Sequence, residues 1–103
     1  QLPMVEVSQT PFSATIALND FAWGTRIDMA CSYGQWGGEA PPPSNLGMVV
    51  VGHDGNKTQI ATWLGLSNAT ALPSGNTPLH VNDIAAVQLA STDSGKVLLE
   101  RQL

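Results

Sequence analysis

The side-chain alternation over Thr25–Tyr33 limits the fold of this chain more than any other feature. Ile27, Met29, Cys31 and Tyr33 take turns with Arg26, Asp28, Ala30 and Ser32. A period of two puts one set on a buried face and the other toward solvent, the geometry of a half-buried strand. A helix would scatter the same four residues around its circumference. Upstream, Ala14, Ile16 and Leu18 keep the same period, and Asn19-Asp20 reads as the turn that follows.

The rest of the chain repeats this grammar. Leu46–Val51 and Thr58–Leu64 flank Gly52-His-Asp-Gly-Asn56, where Asp54-Gly55 supplies the positive φ angles of a tight hairpin. The unbroken Met48–Val51 run predicts a strand covered on both faces or central in its sheet. Ile84–Ala90 and Lys96–Arg101 flank Thr92-Asp-Ser-Gly95, a second hairpin, and Met4–Val7 adds a strand near the start. About seven short strands at this spacing predict an all-β fold, a two-sheet antiparallel β-sandwich of immunoglobulin-like size. Gly34–Asn45, with three consecutive prolines, and Leu64–Pro78 read as loops. Val81–Ile84 is compatible with a short helical turn capped by Asn82 or Asp83.

Composition removes several functional classes. The 103 residues suffice for one core without crosslink or metal. The four cations Arg26, Lys57, Lys96 and Arg101 are scattered and outnumbered by eight carboxylates, so neither nucleic acid nor a polybasic membrane contact is expected. One cysteine and two histidines give no structural zinc site and no internal disulfide framework, and no cofactor is expected in this domain. The absence of an 18-residue apolar run argues against a membrane span. The chain opens without Met or a leader, as expected of a mature form or a piece of something longer.

Individual residues offer little catalytic chemistry. Cys31, in the inward phase of its strand, reads as a small buried apolar residue; a nucleophile would need His53 or His80 beside it. His53 falls at a hairpin tip. His80 lies near Asp83, but no Gly-x-Ser-x-Gly is present, so no catalytic residue is assigned. The carboxylates, Asp54, Asp83 and Asp93 among them, read as turn or cap residues and not as a facing pair or a calcium cluster. Trp63 is expected to anchor core or sheet edge, and Trp23 to pack over a bend before Gly24. Trp36, between glycines, is the tryptophan expected to be exposed; with Gln35 and Glu39 it forms the candidate protein or ligand contact. Asn56-Lys-Thr58 and Asn68-Ala-Thr70 fit the acceptor pattern for N-glycosylation, which matters only in a eukaryotic secretory host.

Several stretches together carry a resemblance: Ala22-Trp-Gly-Thr-Arg-Ile-Asp-Met-Ala-Cys31, Met48-Val-Val-Val-Gly-His-Asp-Gly55, Thr58-Gln-Ile-Ala-Thr-Trp63, Asp83-Ile-Ala-Ala-Val-Gln-Leu89 and Gly95-Lys-Val-Leu-Leu-Glu-Arg101. The chain resembles the C-terminal, extracytoplasmic part of actinobacterial, especially mycobacterial, membrane-anchored anti-sigma factors, those acting on sigma-L in particular. The likeness runs from Leu2 to Leu103 and is weakest over Gly34–Asn45. It implies a cytoplasmic zinc-binding helical domain that holds a sigma factor, one membrane helix, and then this domain on the extracytoplasmic face of the cell membrane. It also implies release of the sigma factor by an extracytoplasmic protease followed by a site-2 metalloprotease. Residues 1–12 would be the membrane-side segment with a possible first strand, and residues 13–103 the sandwich. Gln9, Thr10, Pro11 and Phe12 are the expected protease-exposed stretch. Zinc and the sigma factor belong to the cytoplasmic domain, whose His/Cys motif these residues lack. Some relatives carry a second cysteine beyond the position of Cys31; Ser32 and Tyr33 stand here, so no local disulfide switch carries over. The competing expectation is a secreted lectin- or adhesin-like binding module using Trp36.

Overall fold

The computed structural model describes residues 2–8, 10, 12–33, 44–66 and 70–103. The strands are β1 (Leu2–Pro3), β2 (Val5–Glu6), β3 (Phe12–Phe21), β4 (Gly24–Tyr33), β5 (Ser44–Gly52), β6 (Lys57–Gly65), β7 (Thr70–Ala71), β8 (Ser74–Thr77), β9 (Ile84–Ser91) and β10 (Val97–Gln102), with a 3₁₀ turn at Val81–Asp83. Two antiparallel sheets pack on each other. The first runs β1-β3-β4-β7, with β8 also pairing along β4; the second runs β2-β10-β9-β5-β6. This is the expected sandwich; β5, which carries the apolar Met48–Val51 run, is an interior strand between β9 and β6, while β9 is the central one.

The core follows the period-two pattern. Ile16, Ile27, Met29 and Cys31 from the first sheet meet Leu46, Met48, Val50, Ile84, Val87, Leu89 and Leu99 from the second, all essentially without solvent contact. Burying side chains of this size stabilises by about 1.5–3 kcal/mol each, so the two facing rows alone account for the association of the sheets. Both glycine hairpins form as expected, with φ +86° at Gly55 and +74° at Gly95.

Three β-bulges interrupt the second sheet. On β10 the register steps from Val97↔Ala90 to Leu99↔Leu89, leaving Leu98 as the extra residue. On β6 the step from Met48↔Ala61 to Val49↔Gln59 leaves Ile60 extra. On β9, Val51↔Ala86 followed by Gly52↔Ile84 leaves Ala85. Each extra residue is put to use. The Leu98 carbonyl receives the start of the chain, and the Ala85 carbonyl accepts the Leu103 N–H at 3.0 Å. Ile60 reaches across to β8, where a Cβ on Gly75 would stand 2.6 Å from its Cγ1 and Cδ1. Gly75 is therefore the point where the two sheet edges meet.

Four sequence expectations need correction. Asn19-Asp20 is not a turn: both residues lie in β3, paired with Arg26 and Thr25, and the reversal falls at Ala22-Trp23. Met4–Val7 is not one strand, because the chain changes sheets at Met4. Leu64–Pro78 is not wholly loop: it supplies β7 and β8, which bond to β4 through backbone and need no apolar alternation. The 3₁₀ turn forms with His80, not Asn82 or Asp83, at its N-cap position, and without a side-chain cap bond.

Candidate functional site

Residues 2–8 are stitched to both sheets. Leu2 pairs with Ile16 and Pro3 with Thr15, and the Met4 N–H donates to the Ala14 carbonyl at 2.9 Å. The chain then crosses to the second sheet, where Val5 pairs with Glu100 and Glu6 with Leu99. The bulge at Leu98 frees its carbonyl from β9. That oxygen accepts from both Val7 N–H (2.9 Å) and Ser8 N–H (3.2 Å), while the Ser8 hydroxyl donates to the Val97 carbonyl at 2.8 Å. Leu2 and Met4 tuck partly under the core, whereas Val5 and Val7 are 64% and 56% exposed. The segment thus closes one side of the sandwich mainly through backbone bonds. Few buried apolar contacts and solvent-facing hydrogen bonds are the marks of a region that opens before the rest. Of the expected protease-exposed stretch, Thr10 accepts the Phe12 N–H on its hydroxyl at 3.3 Å, and Phe12 packs partly against the core. Gln9 and Pro11 lie outside the described residues.

The end of the molecule bearing the β3–β4 and β5–β6 turns carries most of the remaining chemistry. Phe21 and Trp23 stack at the β3–β4 tip, ring centroids 5.1 Å apart and planes 7° from parallel, both largely exposed. Trp23 therefore packs on its neighbour and not over a bend, contrary to the sequence expectation. Beside them His80 Nδ1 meets Asp20 Oδ1 at 3.0 Å, an exposed pair. His53 is at the hairpin tip, as expected, with Nε2 3.1 Å from the Asn82 carbonyl. A groove of about 530 Å³ lies beside His53, lined by His53, Asp54, Asn56, Asn76, Leu79 and Asp83 among others. Asp54 is a turn residue, accepting from the Asn56 N–H and side-chain amide. Asp83 meets His80 through its backbone, its N–H donating to the His80 carbonyl at 2.8 Å, while the His80 ring pairs with Asp20, so the sequence neighbours form no catalytic pair.

On the outer face of β4, Asp28 accepts from Ser74 Oγ (2.6 Å), from Arg26 Nε and Nη2 (3.2 and 3.0 Å), and from Asn19 Nδ2 (3.2 Å). The Ser74 hydroxyl first, and then the Arg26 guanidinium, hold this carboxyl below the usual range, although desolvation opposes them. Cys31 is a free, buried thiol, and burial pushes its pKa up to about 11. It belongs to the core and is poorly suited to be a nucleophile at neutral pH. Trp63 anchors the sheet edge, packed partly against the core. Trp36, Gln35 and Glu39 lie outside the described residues. Among the described residues no three His, Cys, Asp or Glu side chains converge on a metal position, and no helix is long and apolar enough to cross a membrane.

No family model matches the chain, and no solved structure matches it. Three curated proteins do match: the anti-sigma-L factor RslA of the Erdman, CDC 1551 and H37Rv strains of Mycobacterium tuberculosis. Each is 41% identical over 105 aligned residues, covering 99% of this chain and 40% of the relative. The chain therefore spans about two-fifths of the length of the curated relatives it matches, the extent expected of one domain of such a protein. With a two-sheet antiparallel fold and this identity over nearly its whole length, the kinship expected from the sequence is borne out: the chain is a homologue of a portion of the anti-sigma-L factor.

Proposed function

We propose that this chain is the extracytoplasmic sensor and guard domain of a membrane-anchored anti-sigma factor, whose regulated proteolysis releases a sigma factor and activates transcription. The observation that carries this reading is the stitching of residues 2–8 to both sheets. A protease needs roughly ten residues of extended, unpaired chain, so cutting requires the segment to come away first. The domain does no chemistry. It sets how often the segment before β3 is available, and a ligand or partner that favours the fastened or unfastened form changes that frequency by its differential affinity. The first cut falls to an extracytoplasmic protease and the second, inside the membrane, to a site-2 metalloprotease. The cytoplasmic part of the parent protein holds the sigma factor and any zinc, and an upstream helix tethers the domain to the outer face of the membrane.

Sealing the segment tests this. Val5 and Glu100 sit opposite each other on β2 and β10 with Val5 exposed. Directly opposed residues on an antiparallel pair lie close enough for a disulfide. In the full-length parent protein, Val5→Cys with Glu100→Cys should block the first cut when oxidised and keep sigma-dependent transcription silent, and reductant should restore both. Equal cutting of the sealed and reduced proteins would overturn the reading.

A further inference from the structure

The start of β1 lies beside the middle of β3 and points toward the end of the molecule that carries the stacked aromatics. β1 runs antiparallel to β3, with Leu2 opposite Ile16. Followed backward from Pro3 to Leu2, β1 therefore points along β3 toward Phe21. Ile16 and Phe21 are five positions apart, about 17 Å of strand. An extended connector of that length brings whatever precedes Leu2 level with the β3–β4 tip. The molecule is 46 Å long and only 22 × 19 Å across, so its long axis decides which residues a surface at that end would meet.

What it meets first is apolar. Phe21 is 41% and Trp23 53% exposed, and their stacking against each other holds the rings as one stiff projection. Gly24, at φ +143°, turns the chain sharply behind them, against the Thr77 carbonyl and Pro78. Face-to-face stacking uses one face of each ring, unlike the side-by-side platform that a sugar would cover. Aromatic side chains at such a tip suit the polar–apolar boundary of a bilayer, where tryptophan is enriched. Two rings alone bind weakly, but a tether a few residues long raises the local concentration to the millimolar range, where a weak contact is populated.

Resting on the tethered-domain reading above, we infer that the Phe21–Trp23 tip is a bilayer-contacting wedge that docks the sandwich end-on against the membrane carrying it. The contact is shallow. Asp20, Asp54 and Asp83 are exposed at this end, with Lys57 beside them. These carboxylates favour a zwitterionic headgroup layer and resist an anionic one. End-on docking places the 92–95 turn and the Tyr33 end of β4 farthest from the membrane. Residues 2–8 then run from mid-flank toward that far end, Ser8 reaching the Val97 carbonyl beside the 92–95 turn, so the segment faces a protease approaching from outside.

The test supplies its own tether, so its result does not depend on how the parent protein is anchored; the guard reading stands or falls on the disulfide experiment. An N-terminal histidine tag holds the domain on phosphatidylcholine vesicles containing nickel-chelating lipid and doxyl-labelled phosphatidylcholine. The tryptophan emission lost on Trp23→Phe isolates the Trp23 component. That component should be quenched severalfold by the shallow doxyl label. The quench should weaken as phosphatidylglycerol replaces phosphatidylcholine at low salt. In the second arm the domain is attached through Ser94→Cys to maleimide lipid, which inverts it; Cys31 is buried and does not compete. There the Trp23 quench should vanish. Phe21→Ser should reduce the quench in the first arm without changing the circular dichroism spectrum. Absence of quench in the first arm, equal quench from both ends, or a saturable Trp23 response to soluble oligosaccharides without bilayer quench would overturn the inference.

Discussion

Met4→Ala separates local release of the N-terminal segment from global unfolding. Met4 hands the chain from one sheet to the other, its side chain half under the core and its N–H bonded to the Ala14 carbonyl. Full burial makes Met→Ala cost about 2–5 kcal/mol, so partial burial here implies roughly 1–2 kcal/mol. The backbone bonds remain, and the lost contact belongs to the fastened form alone. A change of about 1.4 kcal/mol raises the unfastened population about tenfold, and cutting that samples a fast opening equilibrium accelerates by the same factor. The comparison variant is Ile27→Val, at a position with no solvent exposure in β4, which costs about 0.5–1.5 kcal/mol without touching residues 2–8. Both variants should lower Tm by several degrees, since about 1 kcal/mol corresponds to 4–8 °C in a domain of this size. Subtilisin digestion with mass spectrometry then reads cuts between residues 8 and 13. The expected result is about tenfold faster cutting for Met4→Ala and near wild-type cutting for Ile27→Val. Equal acceleration by both would mean that only global unfolding exposes the segment, and the argument from local opening would fail.

Three further outcomes follow from single sites. With its pKa near 11 against 9.0 for an ordinary thiol, Cys31 carries about a hundredfold less thiolate at pH 8 than in the unfolded chain. Ellman's reagent should accordingly label it rapidly in urea and barely in buffer. Because the folded value is the higher, this group's contribution to stability is complete below pH 9 and is lost as pH rises from there through 11. Gly75→Ala should destabilise by about 1–3 kcal/mol through its collision with Ile60, and adding Ile60→Ala should recover part of the loss in urea denaturation. Ser74→Ala should raise the Asp28 pKa more than Arg26→Gln does, as read by carbon-detected NMR titration. The depressed Asp28 value means that its stabilising effect is present above the ordinary carboxylate range and fades as pH falls through the folded value.

The strands that bury a face were legible because burial leaves a signature in side-chain order. β4, β5 and β9 carry it, and both glycine hairpins announce themselves through residues that accept positive φ. What escaped was structure made by backbone alone. Ser74–Thr77 pairs with β4 through Ser-Gly-Asn-Thr, where half of the side chains face solvent and none is apolar. A strand was expected at Met4–Val7, but with Val5 and Glu6 both exposed nothing in the side-chain order shows that the chain changes sheets at Met4. Asn19 and Asp20 look like turn formers, but ten consecutive cross-strand pairs between β3 and β4 outweigh local preference. The bulges at Leu98, Ile60 and Ala85 leave no trace in sequence, because which residue is left over depends on the partner strand. The candidate site was unreadable for the same reason: the fastening of residues 2–8 is a property of the Leu98 carbonyl, and the aromatic stack depends on where the β3–β4 reversal falls. Trp23 was visible as a residue, while its company was not.

The fastening of the first residues by the last strand has a consequence for biogenesis. A ribosome delivers Val5–Ser8 some ninety residues before Val97 and Leu98, so the beginning of this domain waits unprotected until its final strand has arrived. Translation that stops ahead of Val97 would yield a domain with nowhere to secure its own origin, and on the proposed guard reading the phenotype expected is permanent signalling rather than silence.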